Sequence, residues 1–295
     1  MLCSNCWLTG YAVAMAQYPV YSISSGAQTA SELLFGGLAF LALLYCGRLA
    51  RQEGKIWPLS VFGGSMLLIT YEPINNFLGH CAYPTPGQHT MLSYLGQHVP
   101  WSTWFIYMFY FSVAVPLVMR KLEQGITMRV LWRYYAIAVV ICGAFEPVFA
   151  NVHLGVRWWF YYGNNQALNF TGLPMFWWFA NAMVVLVTAM TFHLLKKHVL
   201  DRDWQSLSFI LLEPLLLIGV HGSAGIPYYV AVTSAHSKAL STLGLAGSIA
   251  ISLFYMLLFG KAVTVPAEQP ATAAVSESTR LSAGVTARPA ATIGA

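Results

Sequence analysis

Charged residues along this chain gather in clusters, and the stretches between them stay apolar for the length of a membrane crossing. Between Lys55 and Arg120 the one formal charge is Glu72, between Arg133 and Arg157 it is Glu146, and between Asp203 and Lys238 it is Glu213. A helix that crosses the hydrocarbon core needs about 20 predominantly apolar residues. The windows predict seven such helices, over residues 33–50, 57–79, 101–119, 132–152, 173–195, 206–222 and 240–260. The expected fold class is therefore all-α, a polytopic membrane helix bundle of about seven transmembrane helices.

Composition strengthens that expectation and adds an orientation. Only 8% of residues are charged and the mean hydropathy is +0.60, against about 25% charged residues in soluble domains. Arg48, Arg51 and Lys55 follow the first window; Arg120, Lys121, Arg129 and Arg133 follow the third. Lys196, Lys197 and Arg202 follow the fifth, and Lys261, Arg280 and Arg288 the seventh, so 13 of the 15 basic residues lie on alternate connections. Cytoplasmic loops carry the excess of Lys and Arg, which puts the N-terminus outside and the C-terminus in the cytoplasm. A bacterial plasma membrane is the expected location. The net charge of +5 is then a topology signal, and the lipid bilayer, not nucleic acid, is the expected partner. Residues 32–261 form the membrane domain. Residues 1–31 are an N-terminal segment, interfacial or an eighth helix over 7–23, and residues 262–295, rich in Ala, Thr, Ser, Pro and Gly, read as a disordered cytoplasmic tail.

Candidate chemistry lies in a threefold echo: Tyr71-Glu72-Pro73, Phe145-Glu146-Pro147 and Leu212-Glu213-Pro214. All three pairs fall on windows that run from cytoplasm to outside, so they are mutually parallel. An ionisable group at the bilayer centre costs roughly 2.5–3.5 kcal/mol on insertion scales, and such residues mark functional cavities or interhelical bonds. The proline after each removes a backbone donor and frees the carbonyl four residues earlier, those of Ile69, Gly143 and Ile210. Breaks of this kind are tolerated where the freed groups meet protein or water. His80, His153 and His221 follow the glutamates by seven or eight positions, a spacing that shares one helical face and places each histidine at the outer mouth.

Several polar side chains are candidates to line the cavity that these residues imply. Asn76 lies just beyond Glu72 beside Tyr71, Asn181 lies inside the fifth window, and Tyr161, Tyr162 and Gln166 lie on the outer loop of 153–172. Residues 80–100 form a second long polar loop on that side. A metal is not expected on any one helix, because two turns separate its Glu and His by about 11 Å and no H-E-x-x-H or E-x-x-H element occurs. Ligands drawn from different helices remain an open alternative.

Tyr71-Glu72-Pro73, Cys81-Ala82-Tyr83-Pro84, Phe145-Glu146-Pro147, Tyr161-Tyr162-Gly163-Asn164-Asn165-Gln166-Ala167-Leu168 and Gly172-Leu173-Pro174 occur in this order. Together they resemble AveC-type spirocyclases over roughly residues 70–185, with Ala167 standing where that family carries proline. The resemblance implies a cofactor-independent membrane enzyme that closes a spiroketal on a lipophilic hydroxyketone such as a polyketide, in some members also removing water. The residues themselves put Glu72 and Glu146 forward as an acid–base pair, with Glu213 in support and His80, His153 and His221 relaying protons outward. A proton-coupled transporter, a lipid-binding membrane protein, or another lipid enzyme of carotenoid hydratase or isomerase type uses the same features. Oligomeric state is not legible in the sequence.

Overall fold

Serine side chains cap the N-termini of the first and last described helices of this chain. The computed structural model describes residues 19–150, 157–163, 166–170, 173–234 and 237–266, without the side chains of residues 146, 147, 149, 150, 169 and 170. Helix α1 spans Ser25–Glu53. The Ser24 hydroxyl accepts the Ala27 N–H at 3.2 Å, and Gly54 closes the helix in the left-handed region at φ 63°. The first helix thus begins at residue 25 and not at 33, and residues 19–24 are non-helical. The rest of the possible eighth helix falls outside the described residues.

The second window does not stay one helix. It divides into α2 (Trp57–Leu67), a 3₁₀ turn over Leu68–Thr70, and α3 (Glu72–Gly79). Pro73 has no N–H for the Ile69 carbonyl, and the backbone tightens instead of carrying an α-helix through. Carbonyls at the break are met from outside. The Trp104 indole donates to Met66 O at 2.7 Å, and the Tyr94 hydroxyl donates to Thr70 O.

Helices α4 (Trp101–Glu123), α5 (Met128–Ala150) and α6 (Met175–His198) follow. The sixth window then folds as a composite helix: a 3₁₀ turn over Asp203–Ser208, α7 (Phe209–Leu216), a π-helical turn over Leu217–His221 and α8 (Gly222–Ser234). It runs to residue 234 and not to 222. Gly222, Gly225 and Pro227 resemble a stop signal, yet they serve packing. A Cβ on Gly225 would meet the Tyr229 ring at 2.3 Å, and the Tyr228 N–H donates to Ser248 Oγ at 3.0 Å. His221 is consequently buried midway along a membrane-length helix, not placed at its outer mouth. Helix α9 spans Lys238–Val263, past the expected end of the membrane domain; residues 267–295 of the expected tail lie outside the described residues.

Among the described residues, six helices are long and apolar enough to cross a membrane: α1, α4, the Met128–Phe145 part of α5, α6, the composite Asp203–Ser234 and α9. Helix α6 is the pillar, packing on α4, α5 and α9, while α1 packs on α4 and α2, α2 on α7, and α8 on α9. Small residues permit the closest crossings. A Cβ on Gly244 of α9 would lie 2.5 Å from Pro227 O of α8, and one on Gly64 of α2 would lie 2.3 Å from Glu213 Oε2.

Polar contacts gather at the two ends. At one end Lys196 Nζ pairs with Glu123 at 2.7 Å and lies 4.5 Å over the Trp57 ring. At the other, the stretch of 80–100 that reads as a polar loop contains a hairpin, β2 (Thr90–Tyr94) against β3 (Gln97–Pro100), in addition to β1 (Cys81–Ala82). Leu95 and Gly96 make its two-residue turn at φ 52° and 70°, the left-handed pair that tight hairpins use. Strand β1 pairs with β4 (Phe160–Tyr161), and β5 (Asn169–Phe170) pairs with β6 (Leu173–Pro174). These short ribbons cap the bundle.

Candidate functional site

The cap and the helix break together define a cavity of about 220 Å³. Its wall is mostly aromatic and aliphatic: Tyr107 and Tyr110 from α4, Ile141, Cys142 and Phe145 from α5, and Trp177 from α6, with Trp159 and Tyr161 above. The polar residues in that wall are few, and Glu72, Asn75, Asn76, Asn181 and His221 are among them.

Glu72 is held from two sides. The Tyr83 hydroxyl donates to Oε1 and the Tyr107 hydroxyl donates to Oε2, each at 2.5 Å. The helix break sets this geometry, since Glu72 is the first residue of α3 and faces the end of β1 and the middle of α4. Tyr83 lies on the capping loop, where burial and the adjacent Glu72 carboxyl push its phenol well above the usual tyrosine range. It therefore meets Glu72 as an O–H donor. A carboxylate accepts both phenols, and a carboxylic acid keeps the same place if one phenol turns to accept. The pair of tyrosines thus holds either protonation state in one position.

Asn75 and Asn76 differ in their company. Asn75 Oδ1 accepts the Tyr229 hydroxyl at 2.6 Å. Asn76, 2% exposed, reaches the Glu72 carboxyl one turn earlier, and its Nδ2 makes no hydrogen bond of standard geometry among the described residues. His221 is fully buried, and neither ring nitrogen has a partner among the described residues. Its ring lies 5.5 Å from Trp177, 5.7 Å from Phe176 and 6.4 Å from Tyr71, centroid to centroid.

The remaining expected residues fall elsewhere. Helix α3 ends at Gly79, and His80 leaves it in the left-handed region at φ 51°, so it does not share a helical face with Glu72. Its ring instead stacks on Tyr162, 5.1 Å between centroids and 5° between planes, and burial lowers its pKa. Gln166 ties the cap together: Nε2 donates to Tyr162 O at 2.9 Å, and Oε1 accepts the Tyr228 hydroxyl. Tyr71 is buried beside the cavity without forming its wall. Glu213 is fully buried against Gly64 of α2, with both carboxyl oxygens unpartnered among the described residues, and is not in the cavity wall. The Glu146 side chain and the whole of His153 lie outside the described residues; the helix that carries Glu146 supplies Ile141, Cys142 and Phe145 to the wall.

Tyr83 and Tyr107 were not among the residues expected at the site. Tyr83 stands in the Cys81-Ala82-Tyr83-Pro84 element, which signals a motif but no contact. Tyr107 is one aromatic residue in an aromatic helix and carries no sequence signal. Comparison with family models, with curated proteins and with solved structures gives no match for this chain.

Proposed function

We infer that this chain is a membrane enzyme that cyclises a lipophilic hydroxyketone by acid–base chemistry, in the manner of the spirocyclases and dehydratases it resembles. The carrying observation is the Glu72 carboxyl, gripped by two phenols in the wall of an otherwise aromatic cavity. In this reading the bundle has seven spans. The broken segment Trp57–Gly79 supplies the one beyond the six regular helices, and the alternation of basic residues sets the N-terminus outside and the C-terminus in the cytoplasm.

The chemistry balances without a redox partner. Glu72 as an acid protonates the ketone oxygen while one substrate hydroxyl adds to its carbon and gives its own proton back to the carboxylate, leaving a hemiketal and a protonated Glu72 ready to act again. Protonation of the hemiketal hydroxyl expels water and leaves an oxocarbenium ion, which aromatic faces stabilise. The second hydroxyl closes the spiroketal and returns its proton to Glu72, so one water leaves and the acid is regenerated. Tyr83 and Tyr107 hold the carboxyl through both states, and the apolar wall keeps bulk water from the cation.

The test is purified protein in lipid nanodiscs with a long-chain dihydroxyketone, the product read by mass as loss of one water. Turnover that Glu72→Gln abolishes supports the reading, and equal turnover in that variant removes it. Proton-coupled uptake of the same compound into proteoliposomes, without conversion, assigns the cavity to transport.

A further inference from the structure

Three features of the cavity wall remain unused by that chemistry. Both nitrogens of His221 are buried without partners among the described residues, Asn76 Nδ2 makes no hydrogen bond of standard geometry there beyond its interaction with the Glu72 carboxyl, and both residues line the cavity. A buried polar group left unpaired is costly, and native proteins rarely retain one without a use. With Trp177 Nε1, three side chains of the cavity wall carry such atoms, and Asn76 and His221 among them fit a ligand with at least two hydrogen-bonding oxygens, one accepting from Asn76 and one meeting the imidazole.

The third feature concerns size and access. At about 220 Å³ the cavity is smaller than the roughly 300–1,000 Å³ of sites that enclose a drug-sized ligand. A long lipophilic molecule has to leave part of itself outside. The wall is thinnest on α5: Ile141 lines the cavity yet is 55% exposed, and Phe145 lines it yet is 39% exposed. A side chain that is cavity wall on one side and bilayer-facing surface on the other makes a wall one residue thick. Helix α5 takes its packing from α6, and α4 takes its own from α1, α2 and α6. Ile106 and Phe109 of α4 line the same cavity as Ile141 and Phe145 of α5, and between the two helices the Tyr110 hydroxyl and Cys142 Sγ stand 3.5 Å apart.

We propose that the cavity receives the oxygenated head of a lipophilic molecule sideways from the bilayer, between α4 and α5, and holds it through Asn76 and His221 while the tail stays in lipid. This rests on the cavity being a substrate site, as inferred above, but not on the reaction that follows.

The probe is a dihydroxyketone on a hexadecyl chain with a terminal diazirine, photolysed on the full chain in nanodiscs and mapped by peptide mass spectrometry. Saturable labelling of α5 around Ile141–Phe145 and of α4 around Phe109 is expected. Labelling confined to the capping segments over 80–100 and 157–163 overturns lateral entry. Asn76→Leu and His221→Phe should each weaken probe binding roughly three- to tenfold while leaving thermal stability unchanged or higher, because each removes a buried polar atom that lacks a hydrogen bond of standard geometry. A loss of stability with unchanged binding assigns them to structure and overturns the proposal. If either variant fails to fold, Ile141→Trp on the exposed face of α5 serves instead and should slow association severalfold; an unchanged rate counts against the gap. Saturable labelling without turnover leaves this inference standing and removes the catalytic reading, whereas no saturable labelling removes the site itself.

Discussion

Replacing Glu72 by alanine should cost far more stability than replacing it by glutamine, and the two phenols set the difference. Tyr83 is 5% exposed and Tyr107 is partly buried, and each spends its hydroxyl on one Glu72 oxygen. Alanine strands both donors. A buried donor without an acceptor costs about 1–3 kcal/mol, so two cost about 2–6 kcal/mol, and the enlarged cavity adds to this. Glutamine retains one acceptor oxygen, and its amide donates to the second phenol once that hydroxyl turns. What it loses is the charge assistance, about 1 kcal/mol per bond. Unfolding free energies from denaturant titration in mixed micelles, followed by tryptophan fluorescence, separate the two variants. A double-mutant cycle of Glu72→Gln with Tyr107→Phe should return a coupling of about 1 kcal/mol. Equal stability of the alanine and glutamine variants, or a coupling of zero, would show that the phenols do not clamp the carboxyl.

Other sites give independent checks. Gly64→Ala places a Cβ 2.3 Å from Glu213 Oε2 and 2.9 Å from the Phe209 carbonyl, so it should destabilise by about 1–3 kcal/mol; Gly37→Ala, with nothing within 4 Å, should be neutral or slightly stabilising in the same titration. Glu213→Met replaces a buried carboxyl that has no partner among the described residues. It should leave turnover intact and stability equal or about 1–3 kcal/mol higher, and lost turnover would return Glu213 to the reaction. His80 supplies a pH dependence. Burial holds its folded pKa below the usual histidine value of about 6.5, so below that pH the unfolded chain binds more protons than the folded one. Stability should therefore be full above about pH 6.5 and fall as pH drops toward the lowered value. His80→Asn, which tolerates the left-handed backbone, should flatten that part of the thermal-stability profile.

How much of this could be read from the chain follows from what an apolar window encodes. The six long helices among the described residues lie on the charge-free windows, because the cost of burying charge in hydrocarbon acts on each segment alone. Glu72 as the polar centre was legible for the same reason. Helix faces were not: a span that is apolar all round carries no periodicity to say which side meets a neighbour. In the sequence Glu72 and Glu213 share the same Glu-Pro setting, with Glu72 in the acid–base pair and Glu213 in support. Packing put the first in a cavity between two tyrosines and the second against Gly64, outside the cavity wall. Pro73 announced a break, but the sequence did not show that the chain would divide there, with Trp104 and Tyr94, remote donors, meeting the neighbouring Met66 and Thr70 carbonyls. The sixth window reads as ending at residue 222, whereas the helix continues to Ser234 with the Tyr228 N–H donating to Ser248 of the neighbouring helix, which places His221 in the interior and not at the membrane surface. Local energetics in the sequence decided where the helices lie. Contacts between residues far apart in the chain decided which side chains share the cavity, because those contacts exist only once the helices have packed.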